Sequence, residues 1–468
     1  MTTIHLSNPI ISLWTPLEQL RAQVQGGVYT PEDDGYENAR KAWNLTVDQH
    51  PAVIVTANNA AHVAATVRFA RATGRGIAVQ STGHGVVLPA NDSVLIRTSS
   101  MQEVRIDPVT QTAWVEAGAL WHMVLTPAQK HGLAPLLGSS PYVGVVGYTL
   151  GGGMGWLSRK YGLAADSVRS FELVTPEGQL INASSAEHSD LFWALRGGGG
   201  NFGVITGMEI QLYPVTTVYG GNLIYPAEIA KQVFTLYREW IASAPDELTS
   251  SIAIMNMPNA PALPEPLRGK SVVMIKGCFC GSVKDGEALL AFWRSRLTPI
   301  ADSFQAMPFS AVGTISNDPV NPSAGLSSGG WLKDLSDETI DAIIQYALAR
   351  NGSPLTGVDI RHAGGAIARV AKTSAAFSHR TAPYVMQMFG GASTSEAKTK
   401  LTDYIAGFKA ALAPHLDGVY LNFLSGEEAR ARSKEGYSEA AYQQLKGVKA
   451  VYDPNNYFRH SFDIPAGS

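Results

Sequence analysis

The chain has 468 residues and carries 36 Lys and Arg against 39 Asp and Glu, a formal net charge of −3. This balance, without a long run of like charge, argues against nucleic-acid binding and against a polybasic membrane patch. The length exceeds one ordinary core and predicts two domains. Because no apolar run reaches transmembrane length and residues 1–11 lack a signal-peptide pattern, we expect a cytoplasmic protein without a membrane partner.

Short strands and helices alternate in the first part of the chain. Residues 51–56 predict a buried strand, residues 60–72 a helix, and residues 76–80 a second strand. This second strand runs directly into the glycine-containing loop 81–85. Ligands of α/β sheets bind at the carboxyl ends of strands, so we expect this loop to contact a ligand.

The next segments predict further strands and two helices. Residues 94–97, 103–106 and 112–116 are typical of an antiparallel meander, with a turn at 107–110. The remaining predicted elements are a helix at 120–131, a hairpin of 170–174 with 179–182, a helix at 189–196 and a strand at 204–210. The spacing of Gly198, Gly200 and Gly203 matches GxGxxG, but a helix precedes it and a strand follows. We therefore reject a Rossmann dinucleotide site.

Pro214 marks the predicted end of the first lobe, and longer elements follow from about residue 225. They lie at residues 228–243, 250–255, 272–280, 286–297, 338–349, 357–370 and 384–389. Long strands separated by paired helices predict an α+β second domain. Cys278 and Cys280 would share one strand face as buried thiols in a reducing compartment, and they are too few for a zinc site, so no metal is implied.

Five glycines lie within nine residues between Gly147 and Gly155. Glycine lets backbone N–H groups approach a phosphate or a flat ring closely. The alternative is a flexible surface loop, but the segment also contains Val143, Leu150 and Met154, whereas such a loop would be polar. We therefore interpret residues 143–156 as a buried ligand-contact segment.

Four motifs in this order resemble the berberine-bridge-enzyme-like branch of the vanillyl-alcohol-oxidase flavoprotein family. They are Gly83 with His84 after a strand, the glycine-rich residues 143–162, residues 190–203 with their four consecutive glycines, and Tyr452 to Asn456 in the tail. Each motif is weak alone, but the ordered set spans about residues 36–464. The resemblance implies an α+β, two-domain PCMH-type FAD-binding fold with an antiparallel-sheet-plus-helices substrate domain.

The resemblance also implies where FAD binds. Residues 1–214 would begin the FAD domain, residues 215–417 would form the substrate domain, and residues 418–468 would return to the FAD domain. His84 would be bonded to the flavin 8α-methyl carbon, although a histidine that merely caps a turn is the alternative. The implied cofactor contacts are Gln80, Ser81, Thr82, Gly83, His84, Gly85, Ser140, Val143, Gly144, Gly147, Gly151, Gly152, Gly153, Gly155, Asn201, Gly203, Val204, Ile205, Asn422 and Asn456.

Several positions depart from the pattern of the relatives. Ser140 stands where many carry a cysteine bonded to the flavin 6-position, so we expect attachment through His84 only. Val86 and Met154 replace tyrosines that are common in carbohydrate- and monolignol-oxidising members, which makes the substrate side less polar. Val143 resembles the small residue of members whose reduced flavin reacts with oxygen, which favours an oxidase.

Two side chains are candidates for catalysis. Tyr420 resembles the flavin-facing tyrosine of the family and would act as a base if its pKa, near ~10, were lowered; an aromatic wall is the alternative. Gln387 occupies the place of a glutamate base in some relatives and could only orient substrate. Asp359, Arg361 and Val385 complete the predicted substrate pocket, with a structural ion pair of Asp359 and Arg361 as the alternative.

These patterns predict an FAD-dependent oxidase that takes a hydride from an alcohol or amine carbon of a small, moderately apolar or secondary-metabolite substrate. Electrons would pass to O2 and give H2O2. The alternatives are a dehydrogenase with another acceptor, an oligosaccharide oxidase, and a non-catalytic carrier of flavin or a metabolite.

Overall fold

The computed structural model describes residues 15–467, and the expectation about residues 1–11 lies outside them. The first part of the chain contains, in order, α1 (Pro16–Gln23), β1 (Val28–Tyr29), α2 (Tyr36–Ala39), β2 (Val53–Thr56), α3 (Ala60–Ala72), β3 (Ile77–Gln80), β4 (Val94–Arg97), β5 (Val104–Asp107), β6 (Thr112–Glu116), α4 (Trp121–Gln129), α5 (Val145–Leu150), α6 (Ser158–Tyr161), β7 (Val168–Val174), β8 (Leu180–Ser184), α7 (Ser189–Leu195) and β9 (Val204–Gln211). Helix α3 and strands β4 and β6 have the predicted bounds. The Asn59 side chain caps α3 by accepting a hydrogen bond from the His62 N–H.

These strands form two sheets. One is a four-stranded sheet in the order β1-β2-β4-β3, and the other has five strands in the order β5-β6-β9-β7-β8. The predicted meander is wrong for residues 94–97, because β4 pairs in parallel with β2 and β3. It is confirmed for the other two strands, because β5 pairs antiparallel with β6. Val94, Leu95 and Ile96 are all buried, as expected for a strand covered on both faces, whereas β5 alternates between half-buried and exposed residues.

The second part of the chain builds one large antiparallel sheet. Its elements are β10 (Thr217–Pro226), α8 (Ala230–Ile241), β11 (Leu248–Asn256), β12 (Ser271–Phe279), α9 (Val283–Arg294), β13 (Ala301–Asp302), β14 (Gln305–Pro308), β15 (Gly325–Leu332), α10 (Asp337–Ala347), β16 (Gly357–His362), α11 (Ala366–Arg369), β17 (Tyr384–Gly391) and α12 (Ser395–Leu412). The strand order is β13-β10-β12-β11-β16-β17-β15, and β14 also pairs with β10. The predicted α+β architecture is confirmed, whereas β10, β15 and α12 were not predicted.

The two faces of this sheet differ in chemistry. Apolar residues of β10, β11, β12, β16 and β17 pack with helices α8, α9, α10 and α12 into one core. The opposite face carries Asn222, Lys276, Ser251 and Arg361, which are cross-strand partners in that order. One side of the sheet is thus committed to packing, and the other carries the polar groups.

The two cysteines are free thiols. Cys278 is buried, and Cys280 directly after β12 is half-buried. Burial raises the pKa of Cys280 to about 11. Within residues 15–467, no helix is long and apolar enough to cross a membrane, and no group of three His, Cys, Asp or Glu side chains could hold a metal ion.

A buried ion pair fixes the tail to the first part of the chain. The tail contains α13 (Gly426–Ala431) and α14 (Glu439–Tyr452). On α14, Lys449 Nζ donates to Asp453 Oδ2 at 2.6 Å and to the Asn201 carbonyl at 2.8 Å, and both charged side chains are almost inaccessible to solvent. Asp453 also accepts from the N–H groups of Tyr457 and Phe458. The tail therefore packs against the segment that contains the four glycines, whereas the domain boundaries at residues 214 and 417 stay a prediction.

We expect Lys449→Met to lower the free energy of unfolding by about 3–5 kcal/mol, because it leaves the Asp453 carboxylate buried without its cation. Lys231→Met is the matched control, since Lys231 forms an exposed pair with Asp341. Urea denaturation measures both. Equal midpoints for the two variants would contradict the structural role of Lys449.

Candidate active site

The loop after β3 begins with a side chain that is fully engaged. Gln80 Oε1 accepts from Gln49 Nε2 at 2.9 Å, and Gln80 Nε2 donates to the Lys41 carbonyl at 2.9 Å. Its side chain therefore fixes the start of the loop and does not project toward a ligand. Gly83 has φ +85°, and an added Cβ would lie 2.8 Å from Ala42 Cα, so only glycine fits there.

His84 lies on an aromatic platform. Its ring stacks on Trp43, with centroids 3.9 Å apart and an interplanar angle of 21°. Trp43 Nε1 donates to the Val320 carbonyl, which ties this platform to the second part of the chain. His84 Nε2 is buried and has no hydrogen-bond partner among the described residues. Burial lowers the pKa of His84 to about 4, against the opposing effect of Asp318, so the imidazole is neutral near pH 7.

The ring of a turn-capping histidine would bond to the backbone, and the ring of His84 does not do so among residues 15–467. At this loop it is Thr82 Oγ1 that accepts a hydrogen bond, from the backbone N–H of His84. A neutral ring nitrogen with a free lone pair is instead the state that a bond to carbon requires. The predictions made no use of Trp43, since a single aromatic residue 41 positions away leaves no local pattern.

The glycine-rich segment approaches this loop. Gly144 precedes α5, a helix that was not predicted, and an added Cβ would lie 3.3 Å from Ser81 Oγ. Ser81 Oγ is itself buried without a described partner. Thr82, Gly85 and Val86 lie on the same loop. Gly147 is exposed, and a Cβ there would meet no heavy atom within 4 Å, so the space beside α5 is open; we call this space the crevice.

Other glycines of the segment face the protein. A Cβ on Gly151 would overlap Asn422 Oδ1, and one on Gly155 would overlap the Leu137 carbonyl. Gly152 and Gly153, with φ +104° and +79°, lie against Phe377 and Tyr148. These positions need glycine for close packing of the protein, and only their backbone remains for a cofactor.

Tyr420 lies where the tail meets this segment. Its hydroxyl oxygen accepts from the N–H groups of Gly153 and Met154, both at 3.1 Å, and from Asn422 Nδ2 at 3.2 Å. Asn422 Nδ2 also donates to the Tyr148 carbonyl. Burial raises the pKa of Tyr420, while Asn422, the two backbone donors and Arg361 oppose the rise. The condition for Tyr420 to act as a base, a lowered pKa, is therefore not met by the protein groups alone.

An apolar wall surrounds the Tyr420 ring. Its buried members are Met154, Leu163, Trp331, Ala363, Ile367, Phe377, Ala382, Val385, Tyr420 and Phe423. The cluster unites the glycine segment, β15, β17 and the tail, so the predicted pocket residues Met154 and Val385 do meet Tyr420. Gln387, two residues after Val385 on β17, is half-buried, and its side chain has no hydrogen bond to a described residue.

Asp359 and Arg361 form an ion pair on β16, with Arg361 Nε 3.0 Å from Asp359 Oδ2. For Asp359, the alternative of a structural ion pair therefore holds, and its carboxylate also pairs with Lys276 at 3.2 Å. Arg361 reaches further, since its guanidinium lies 4.9 Å from the Phe423 ring centroid and Nη1 lies 3.5 Å from the Met154 carbonyl. The prediction did not include Lys276.

A separate pocket of about 220 Å³ lies between the tail and the glycine-rich residues after α7. Its polar lining consists of two predicted cofactor residues, three basic side chains and one acidic side chain: Asn201, Asn456, Arg430, Arg459, His460 and Asp463. Asn201 Nδ2 donates to the Gly198 carbonyl, and His460 Nε2 lies 2.8 Å from Ser93 Oγ. Burial lowers the pKa of His460, so Arg430 and Arg459, opposed by Asp463, are the cations that would suit a diphosphate.

The remaining predicted cofactor residues are committed to the fold. Gly203 packs against the Val174 carbonyl, and the side chains of Val204 and Ile205 are buried in hydrophobic cores. Ser140 Oγ accepts from the Tyr142 N–H at 3.3 Å, and the Val143 carbonyl accepts from the Trp121 N–H. For Gly203, Val204 and Ile205, only the backbone remains for a cofactor, whereas the side chain of Val143 is half-buried.

The residues present fit FAD. Ser81 Oγ, His84 Nε2 and Tyr148 Oη are buried polar atoms without described partners. They belong to the loop and the helix that border the open crevice at Gly147, and the basic pocket provides for a diphosphate. Buried polar groups normally have partners, so this set indicates a polar ligand in the crevice.

Comparisons with known proteins support an FAD-binding protein. Two family models match, described as FAD binding domain over residues 51–184 and as berberine and berberine like over residues 419–465. The (R)-6-hydroxynicotine oxidase of Paenarthrobacter nicotinovorans is 29% identical over 469 residues, which cover 97% of this chain and 99% of that protein. An FAD-linked oxidoreductase of Dictyostelium discoideum is 27% identical over 448 residues, covering 94% and 95%.

Solved structures show the same fold. The crystal structure of 6-hydroxy-D-nicotine oxidase from Arthrobacter nicotinovorans superposes with a TM-score of 0.83 at 25% identity, covering 95% of this chain and 98% of that chain. The BBE-like 1 protein of Physcomitrella patens has a TM-score of 0.83 at 22% identity and covers 97% and 100%.

The fold, the crevice and these relatives define an FAD-dependent oxidoreductase. Within that class, the chain is similar to the berberine-bridge-enzyme-like FAD-linked oxidoreductases, whose family models match residues 51–184 and 419–465. The predicted two-domain PCMH-type fold is confirmed.

Two glycine substitutions separate protein packing from cofactor contact. Gly151→Ala should lower the melting temperature of the flavin-free protein, because the methyl group overlaps Asn422. Gly147→Ala should not lower that temperature, since Ala favours the helix α5, but it should weaken FAD binding, because its methyl group enters the open crevice. FAD affinity is measured by calorimetry in a His84→Ala background, where binding stays reversible. Unchanged FAD affinity in Gly147→Ala would contradict the assignment of the crevice.

Proposed function

We propose that this protein is an oxidase that carries FAD attached through His84 alone. Its substrate is a small, moderately apolar alcohol or amine. The carbon that bears the hydroxyl or amino group loses a hydride, the heteroatom loses a proton, and O2 takes up both electrons to give H2O2.

The observation that carries this proposal is the set of three N–H donors around the Tyr420 hydroxyl oxygen, inside an otherwise apolar wall. Donors arranged in this way stabilise negative charge on an oxygen, as in an oxyanion hole. FAD, when bound, supplies the hydride acceptor, an electron-poor ring that favours a phenolate beside it, and the route of the electrons to O2. Tyr420 is therefore placed to take the proton from the substrate.

Other residues of the chain orient the substrate and exclude water. Met154 and Val385 are almost fully buried and pack in the same cluster as Tyr420, so they lower the local polarity. The amide of Gln387 is free to hydrogen-bond a substrate and cannot act as a base. The apolar wall also favours an apolar substrate over an oligosaccharide, which would need many polar partners.

Val143 supports oxygen as the acceptor, because it resembles the small residue of family members whose reduced flavin reacts with oxygen. The test is anaerobic reduction of the protein-bound flavin by a panel of alcohols and amines, followed by mixing with O2 in a stopped-flow instrument. Fast reoxidation with H2O2 formation supports an oxidase. Reduction followed by slow reoxidation identifies a dehydrogenase, and a flavin that no substrate reduces would favour a carrier.

We propose a cytoplasmic location, supported by the two free thiols Cys278 and Cys280. Cell fractionation with an antibody to the protein tests it, and recovery outside the cytoplasm would overturn it.

His84→Ala should release the flavin on acid precipitation, whereas the flavin of the wild-type protein stays in the pellet. Trp43→Phe is the control, since it retains a ring for stacking on His84. Absorbance of pellet and supernatant gives the result. Flavin that stays in the pellet after His84→Ala would show another attachment residue, and flavin in the wild-type supernatant would show that no covalent link exists.

Tyr420→Phe should slow anaerobic flavin reduction by about 10²-fold or more, because it removes the proton acceptor and leaves the aromatic wall. Phe retains the ring contacts with Trp331 and Phe423, so the pocket keeps its shape. Stopped-flow absorbance measures the rate. A decrease of less than about threefold would assign Tyr420 to the wall alone.

A further inference from the structure

The polar face of the large sheet carries more positive than negative charge beside the apolar wall. Lys276 Nζ lies 3.2 Å from Asp359 Oδ1, and Arg361 Nε lies 3.0 Å from Asp359 Oδ2. The Asp359 side chain is 5% exposed, so solvent screens this cluster poorly. Two cations thus share one carboxylate.

The carboxylate in this cluster is ionised. Burial raises the pKa of Asp359, but Lys276 and Arg361 more than offset that effect, and the pKa lies below its ordinary value. Burying a net positive charge without a partner is costly. The cluster therefore favours an additional anion.

The geometry shows which cation can meet that anion. Lys276 points to Asp359, whereas the Arg361 side chain is 19% exposed and lines a pocket of about 10 Å³ with Met154, Thr249 and Ser250. Arg361 Nη2 has no hydrogen-bond acceptor among residues 15–467, and Nη1 reaches only the Met154 carbonyl, at 3.5 Å. The N–H of the same Met154 donates to the Tyr420 hydroxyl. Met154 therefore lies between the Arg361 guanidinium and Tyr420, the proposed proton acceptor.

Asp318 is the other acidic group that faces this region. Its carboxylate influences both Arg361 and His84. Asp318 is half-buried and accepts a hydrogen bond from Ser139 Oγ at 2.6 Å. No contact within ion-pair distance joins Asp318 to Arg361 in the described part of the chain. Asp318 therefore weakens the positive potential at the pocket without occupying the free guanidinium nitrogens.

We propose that Arg361 binds a carboxylate of the substrate, so that the oxidised alcohol or amine is one that carries an acidic group. This inference rests on the proposed function and narrows its substrate class. A carboxylate can accept two parallel hydrogen bonds from a guanidinium, and such a pair fixes both distance and direction. The acid group would then orient the reacting C–H toward the crevice from the Arg361 side.

Calorimetric titration with matched acids and amides tests the proposal on the purified holoprotein. The probes are benzoate against benzamide and phenylacetate against phenylacetamide. We expect the wild-type protein to bind the acids at least ~tenfold more tightly than the amides, because a charge-assisted pair replaces a neutral one. Arg361→Gln should reduce this ratio to about one, while Asp359 keeps Lys276 as its partner.

Two further variants make the result specific to this site. Arg369→Gln is the matched control, because Arg369 is 62% exposed and pairs with Asp246 at the surface, and it should keep the wild-type ratio. Asp318→Asn should raise the preference for acids, because it removes a negative charge that faces the pocket. An unchanged ratio in Arg361→Gln, or failure of the wild-type protein to bind either acid, would overturn the proposal.

The failure of this inference differs from the failure of the proposed function. If neutral alcohols or amines reduce the flavin and O2 reoxidises it, but the acids bind no better than the amides, the oxidase stands and the acidic substrate class is wrong. If no compound reduces the flavin while the ratio depends on Arg361, the acid site stands and the oxidase is wrong.

Discussion

The contact on which the rest of the site depends is the hydroxyl oxygen of Tyr420 with its three N–H donors. It joins the tail to the glycine-rich segment, which also borders the crevice at Gly147. A Cβ at Gly151 would overlap Asn422, so the segment can approach the tail only as glycine. The same hydrogen bonds therefore set the position of the segment and place a polarised oxygen at the inner end of an apolar wall.

The second constraint is that the two faces of the large sheet carry different side chains: one face packs against helices, and the other faces the site. Alternation along each strand buries Ile360 and Met386 against the helices and turns Arg361 and Val385 to the other side. An apolar wall and a cationic cluster thus lie side by side on one surface. The wall lowers the local dielectric, which strengthens the field of Arg361 at Tyr420. The same face of the sheet therefore carries both the wall around Tyr420 and Arg361, the residue that we propose binds the substrate.

Much of this architecture could be predicted from local patterns, because helix α3 and strand β6 carry clear periodicity and the hairpin β7–β8 carries a turn signal. Strands β10 and β15 were missed because glycines such as Gly220 and Gly329 interrupt the β-branched pattern. The pairing of β4 was predicted wrongly because β4 pairs in parallel with β3 before it and with β2, and not with β5 after it. In the site, His84 and Tyr420 lie in recognisable motifs. Trp43 and Lys276 act through contacts with residues far along the chain, and such contacts leave no motif.

The most direct test of the account is a crystal structure of the protein with bound FAD. The account predicts continuous density between His84 and the flavin 8α-carbon, with the flavin ring beside Gly147. It also predicts that the Tyr420 hydroxyl lies on the same side of the flavin ring as Met154 and Arg361. A flavin bound away from this crevice, or one whose ring lies beyond reach of His84, would contradict the assignment of the site.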